Sequence, residues 1–184
     1  MVGQQRLIRT AHPEQDGAAL ARIYEPYVRE TVISFEVEPP SADEMARRVG
    51  HVLSHYPYLL CELDGEPVGF AYGGQHRSRA AYRWSVDVSV YVAPDRHRQG
   101  VGRELYAQLL SILARQGFHQ AFAGITLPND NSVGLHEAMG FTPVGVYAEV
   151  GYKFGAWRDV GWWRRPLAAV CAPAEPIPFT ELSA

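Results

Sequence analysis

Residues 89–110, SVYVAPDRHRQGVGRELYAQLL, decide the fold. Val86, Val88, Val90 and Val92 alternate along one face, the period-2 pattern of a strand. From Val101 the period changes. Val101, Leu105, Leu109 and Ile112 fall on one side of a helix running to Arg115, and Gly117 supplies its stop. Between strand and helix lie Arg98, Gln99, Gly100, Val101 and Gly102. Glycines there let the backbone come close to a ligand, and the unpaired N–H groups of a helix start favour a phosphate. Arg96, Arg98 and Arg103 add positive charge. A dinucleotide fingerprint would need a third glycine where Leu105 stands. A P-loop would need Gly-Lys-Ser/Thr, which this chain lacks. By themselves, these residues leave two readings: an ordinary strand–helix turn, or a phosphate site of another style.

Outward from this segment the chain reads as βααβββαβαββ. Arg6–Thr10 alternates as a first strand. Pro13 is suited to open a helix carrying Leu20, Ile23, Tyr24, Tyr27 and Val28, which Pro26 is expected to kink or end. Thr31–Pro40 reads as an extended loop, and Ser41 to Glu44 as a capping box opening a second helix. Tyr58–Leu63 and Val68–Gly73 flank Asp64-Gly65 as a hairpin, followed by the strand Trp84–Val92. After the glycine-bearing helix come a strand at Ala121–Thr126, a short helix ending at Met139 and Gly140, and strands at Phe141–Val150 and Asp159–Arg164. Mixed strands with helices on both faces imply a three-layer α/β/α sandwich. Residues 6–167 read as one domain, and 168–184 as a Pro/Ala-rich tail, either loosely held or strapping a second subunit.

The chain has 184 residues, a formal charge of −3 and a pI near 6.2, which argues against nucleic acid as a partner. No apolar run approaches the roughly 20 residues of a membrane span. MVGQQRLIRT lacks the apolar core of a secretory signal. Cys61 and Cys171 show no metal-ligand spacing, so free thiols in a reducing cytoplasm and no metal are expected.

The opening segment resembles the acetyl-CoA motif of the GNAT N-acetyltransferases, Gln/Arg-x-x-Gly-x-Gly/Ala after a central strand. His97 occupies the Gln/Arg position. RSRAAYRWSVDVSVYV, ITLPNDNSVGLHEAMGF, VGYKFGAWRDVGWW, YEPYVRETVISFEVEPP and HYPYLLCELDGEPVGFAY are similar to the phosphinothricin acetyltransferase branch. The resemblance covers residues 6–167. It implies a GNAT-type mixed, mostly antiparallel sheet with a splayed central strand pair. It also implies acetyl-CoA as co-substrate, and acetyl transfer to the α-amine of a small amino acid such as phosphinothricin, methionine sulfone or methionine sulfoximine. A homodimer follows from the same resemblance. Asp87 and His97 depart from the family pattern, and so leave open a non-catalytic acyl-CoA-binding module, or an enzyme for another small amine.

The resemblance also implies site residues. Val90, Tyr91 and Val92 would meet pantetheine through their backbone. Arg98, Gln99, Gly100, Val101, Gly102 and Arg103 would hold the pyrophosphate, and Asn129 would reach the pantetheine arm. Asp87 stands where the family has Glu and becomes the candidate base, although the residues alone also fit an Asp on a solvent or dimer face. A carboxylate near its ordinary pKa of about 4 is a weak base unless its surroundings raise it. His136 matches a second position proposed to be catalytic; a helix histidine bonded to backbone is the competing reading. Arg77 and Arg79 suit a substrate carboxylate. Phe35, Tyr82 and Trp84 could wall the pocket or simply pack. Lys153 and Trp157 fit an active-site edge or, more safely, packing. Tyr106 is as compatible with core as with protonation of the leaving thiolate.

Overall fold

The computed structural model describes residues 5–168 and 173–182. Cys171 lies outside them; Cys61 is a free, buried thiol. The elements follow the expected order: β1 Arg6–Thr10, α1 Pro13–Arg29, α2 Ala42–Leu53, β2 Tyr58–Leu63, β3 Glu66–Gln75, β4 Ser85–Val92, α3 Val101–Arg115, β5 Gln120–Leu127, α4 Asp130–Ala138, β6 Thr142–Lys153 and β7 Ala156–Pro166. Ser41 caps α2 by accepting the Glu44 N–H, the first half of the capping box. The reciprocal half is not made, because the Glu44 carboxylate instead holds Arg47 and Arg48. Pro26 does not end α1. It lies in the last turn, and the helix runs on to Arg29, with the Glu30 N–H donating to the Pro26 carbonyl.

The seven strands form one sheet, ordered β1-β2-β3-β4-β5-β7-β6. Every neighbouring pair is antiparallel except β4 with β5. α3 covers one face, where Leu105, Leu109 and Leu113 meet Val86, Val88 and Cys61. α1 and α2 cover the other, where Leu20, Ile23 and Val49 meet Leu60 and Phe70. β2 is thus buried on both faces, which explains its nearly unbroken apolar run. The α/β/α sandwich and the four valines sharing one face of β4 are as expected.

Residues 173–182 lie along their own chain. The Ile177 N–H donates to the Gln116 carbonyl, the Gln116 side chain donates back to the Ile177 carbonyl, and the Phe179 N–H donates to the His55 carbonyl. Trp84 belongs to this contact, donating its indole N–H to the Ala174 carbonyl, so it walls no pocket near Asp87.

Candidate active site

The site begins where two strands part. β4 pairs with β5 only over Ser85, Val86 and Asp87, opposite Gln120, Ala121 and Phe122. Beyond that point both strands continue and diverge. Strand alternation decides which peptide groups face the gap. The Trp84 carbonyl accepts N–H groups at the start of β5, while the Ala93 N–H donates to Val68 on the β3 side. Even-numbered residues of β4 therefore turn their N–H and C=O toward β5, and odd-numbered ones toward β3. This puts Val88 and Val90 on the gap. The resulting narrow crevice is lined by Val88, Val90, Tyr106, Ile125, Asn129 and His136, among others. Tyr91 also lines the crevice, although, contrary to the expectation of a backbone contact, its peptide groups face β3; its ring packs edge-on against Tyr24 and Tyr27. A larger cavity between α1, α2 and the sheet holds neither Asp87 nor the glycine loop.

At the far end of β4 the chain turns into α3. Gly100 takes the left-handed conformation at φ +84, which only glycine adopts without strain. The first helical bond runs from the Glu104 N–H to the Gly100 carbonyl, so the N–H groups of Val101, Gly102 and Arg103 have no partner within the helix. Gly102 has a packing reason as well. A Cβ there would meet Leu135 at 3.3 Å, so glycine lets α3 approach α4. Arg98 is exposed at φ +62. Arg6, unmarked by the sequence, braces the loop: its guanidinium donates to the Gln99 carbonyl at 2.8 Å and pairs with Glu104. His97 does not face the loop. Its Nε2 lies 3.0 Å from the Val92 carbonyl and 2.7 Å from the Tyr27 hydroxyl, tying β4 to α1.

Asn129 lines the crevice and caps α4 through Oδ1, which accepts the Ser132 N–H and leaves its amide N–H₂ without a role in the cap. His136 is buried, and both ring nitrogens are engaged. Nδ1 lies 2.7 Å from the Ser132 carbonyl and must carry the proton. Nε2 therefore accepts from the Tyr106 hydroxyl at 2.9 Å. Burial lowers the His136 pKa, and no lone pair is left for an ammonium proton. In this geometry His136 orients Tyr106, whose own pKa burial pushes up, and does not stand free as a base.

Asp87 sits at the last paired position before the parting. Burial raises its pKa, against the opposing pull of His76 and Arg77. His76, overlooked in the sequence, is its partner: Nδ1 to Oδ1 is 2.6 Å. The register explains this pairing. Gly74 lies opposite Asp87, which puts residue 76 diagonal to it on the same face. Arg77 lies over Trp162 at 5.5 Å, and Tyr82 is edge-on to His76. Arg77, Arg79 and Tyr82 are exposed. Phe35 comes from the loop after α1 and lies on Gly151, where a Cβ would fall 2.1 Å from its ring. Lys153 holds that loop by donating to the Val28 and Ser34 carbonyls, so its role is packing. Trp157 is exposed beside Tyr152. Among the described residues, no group of three His, Cys, Asp or Glu could hold a metal ion.

The family model for the acetyltransferase (GNAT) domain matches residues 8–162. A phosphinothricin N-acetyltransferase of Streptomyces coelicolor is 44% identical over 84% of this chain and 92% of that protein. An L-methionine sulfoximine/L-methionine sulfone acetyltransferase of Salmonella typhimurium is 35% identical over 86% of this chain and 93% of that protein. The crystal structure of a GNAT superfamily phosphinothricin acetyltransferase from Sinorhizobium meliloti in complex with acetyl-CoA superposes with a TM-score of 0.88 at 32% identity. It covers 97% of this chain and 99% of that one.

Proposed function

The chain belongs to the GNAT acetyltransferase family, and from that premise we propose that it acetylates the α-amine of a small amino acid of the phosphinothricin, methionine sulfone or methionine sulfoximine kind, with residues 6–167 as its one acetyltransferase domain. The observation that carries this reading is the parting of β4 from β5 directly after Asp87, with the α3 N-terminus at the far end of the same strand. The crevice follows this gap, and its backbone and Asn129 donors suit a pantetheine arm. Bound acetyl-CoA supplies the activated acetyl thioester.

The chain's own groups do the rest. The Val90 N–H, turned into the gap, donates to the thioester carbonyl as charge develops on it. The N–H groups of Val101, Gly102 and Arg103, with the Arg98 and Arg103 side chains, hold the pyrophosphate. The Asn129 amide donates to the pantetheine arm. The acceptor binds over Phe35 and Tyr82, with Arg77 or Arg79 forking its carboxylate. The acceptor's proton leaves at the Asp87 end of the gap, where Asp87 is hydrogen-bonded to His76.

A second copy of the chain completes the assembly. β6 is an edge strand, and Val144, Val146, Tyr147, Val150 and Tyr152 are all exposed on it. Apolar side chains on an open edge are the mark of a docking surface. The free, buried Cys61 suits a reducing cytoplasm. Among the described residues no helix is long and apolar enough to cross a membrane.

One assay tests the reading. Purified protein, acetyl-CoA and a panel of amines are followed by thiol release. Turnover of phosphinothricin and the two methionine derivatives, exceeding that of polyamines and peptide N-termini, is the expected result. Coenzyme A binding without turnover of any amine would refute it.

A further inference from the structure

We propose that the terminus for the acceptor's proton is the imidazole of His76, and that Asp87 is the carboxylate that orients it. The inference rests on the acetyltransferase reading above and reverses the role the sequence suggests for Asp87. The bond from Nδ1 to Asp87 Oδ1 at 2.6 Å sets the tautomer. With an acceptor oxygen opposite it, Nδ1 carries the proton and Nε2 carries the lone pair. Nε2 has no hydrogen-bond partner among the described residues, and it is not among their buried, unsatisfied atoms, so it reaches solvent.

The ring is held in place. It stacks on Phe122 at 4.4 Å with the planes 14° apart, and meets Trp162 and Tyr82 edge-on. Phe122 is the β5 residue paired with Asp87 at the parting, so the imidazole lies over the point from which the crevice opens. The position opposite Asp87 on β3 is open: a Cβ at Gly74 would meet nothing within 4 Å. Among the described residues, the charged and titratable groups around the His76–Asp87 pair are Arg77 beside the ring in the chain, Tyr82 from the turn before β4, and Tyr56 and Tyr72 near Asp87; β5 and β7 present Phe122 and Trp162.

Chemistry favours the imidazole. An ordinary carboxylate titrates near 4 and an imidazole near 6.5, and a general base works best near the pH at which it operates. Burial raises the Asp87 pKa, but the hydrogen bond from His76 pulls it back and occupies the Oδ1 that would take a proton, while Nε2 of the ring is left with a free lone pair. In the step, an N–H bond of the acceptor ammonium breaks and its electron pair stays on nitrogen as the nucleophile. The proton bonds to Nε2, directly or through one water. The resulting imidazolium faces the Asp87 carboxylate, and afterwards gives its proton to solvent or to the leaving thiolate.

His76→Asn tests this, since its amide N–H₂ can still donate to Asp87 but cannot titrate. Coenzyme A affinity, read by calorimetry, is expected to be unchanged. At pH 7, kcat/KM for the acceptor should fall about 10²-fold or more. That deficit should shrink as pH rises and the amine loses its proton unaided, a trend that a purely structural loss would not produce. In the wild type without ligands, the His76 ring resonances should titrate at the pH of the acidic limb of kcat/KM, and should shift in Asp87→Asn; this measurement does not depend on His76→Asn folding. A pH profile unchanged in active His76→Asn, or a His76 titration unrelated to the acidic limb, would overturn the assignment alone. A wild type that turns over no amine would overturn the acetyltransferase reading and this inference with it.

Discussion

Tyr106→Phe isolates one hydrogen bond in the wall of the crevice. Tyr106 is fully buried, and its hydroxyl is 2.9 Å from His136 Nε2. Phenylalanine keeps the ring and its packing against Phe141. What disappears is the only donor to Nε2 among the described residues. The imidazole cannot recover by flipping, because Nδ1 is fixed by the Ser132 carbonyl and a flip would forfeit that bond. A buried acceptor left alone costs about 1–3 kcal/mol. For a chain of this size that corresponds to a fall in Tm of about 2–12 °C. Urea unfolding followed by tryptophan fluorescence reads the free energy, and calorimetry reads Tm. Adding His136→Leu removes the stranded acceptor, so the double variant should be destabilised by less than the sum of the single ones. A Tyr106→Phe variant within about 0.5 kcal/mol of wild type, the usual range for changes away from such features, would refute the bond's role. Strictly additive losses in the cycle would refute the coupling.

Three further perturbations probe other parts of the site. Gly151→Ala puts a Cβ 2.1 Å from the Phe35 ring and must displace it. Phe35 is already 38% exposed, so losing its remaining burial is worth about 1–2 kcal/mol. The acceptor KM should then rise about 5–30-fold, with acetyl-CoA KM unmoved; an unchanged acceptor KM would remove Phe35 from the pocket. Gly100→Ala forces a left-handed alanine at about 1–2 kcal/mol and disturbs the helix start. Its acetyl-CoA KM should rise more than its acceptor KM, and the reverse order would count against the pyrophosphate site. The His136 pKa is lowered in the fold, so the unfolded chain binds that proton more readily. Stability from this group is present above the unfolded value of about 6.5 and is lost as pH falls through and below it. His136→Gln should flatten the loss of stability between pH 7.5 and 5.5, and equal slopes in the two proteins would rule this out.

What the sequence revealed and what it hid divide along a physical line. Local patterns were readable because they are local. The valines of β4 share a face because side chains alternate, and α3 begins and ends at Gly100 and Gly117 because those positions need left-handed backbone. Pro26 does not end α1 because a proline forfeits its own N–H but keeps its carbonyl, which accepts the Glu30 N–H and lets one more turn form.

The site depends on a different kind of information. Whether Val90 or Tyr91 turns its peptide toward the gap depends on which strand each edge of β4 meets, and a one-residue change in register would exchange them. His97 occupies a motif position, yet its ring is claimed by Tyr27 and a carbonyl of the preceding strand. His76 lies outside every recognised motif and is joined to Asp87 only by the β3–β4 register. A shorter carboxylate in a motif position reads as a weakened base only while it is considered alone. With an imidazole 2.6 Å away, the loss of a methylene relative to Glu becomes half of a two-residue arrangement, and the other half is visible only once the strands are paired. A departure from a family motif therefore has to be weighed together with the residues diagonal to it across the sheet before it is taken as loss of function.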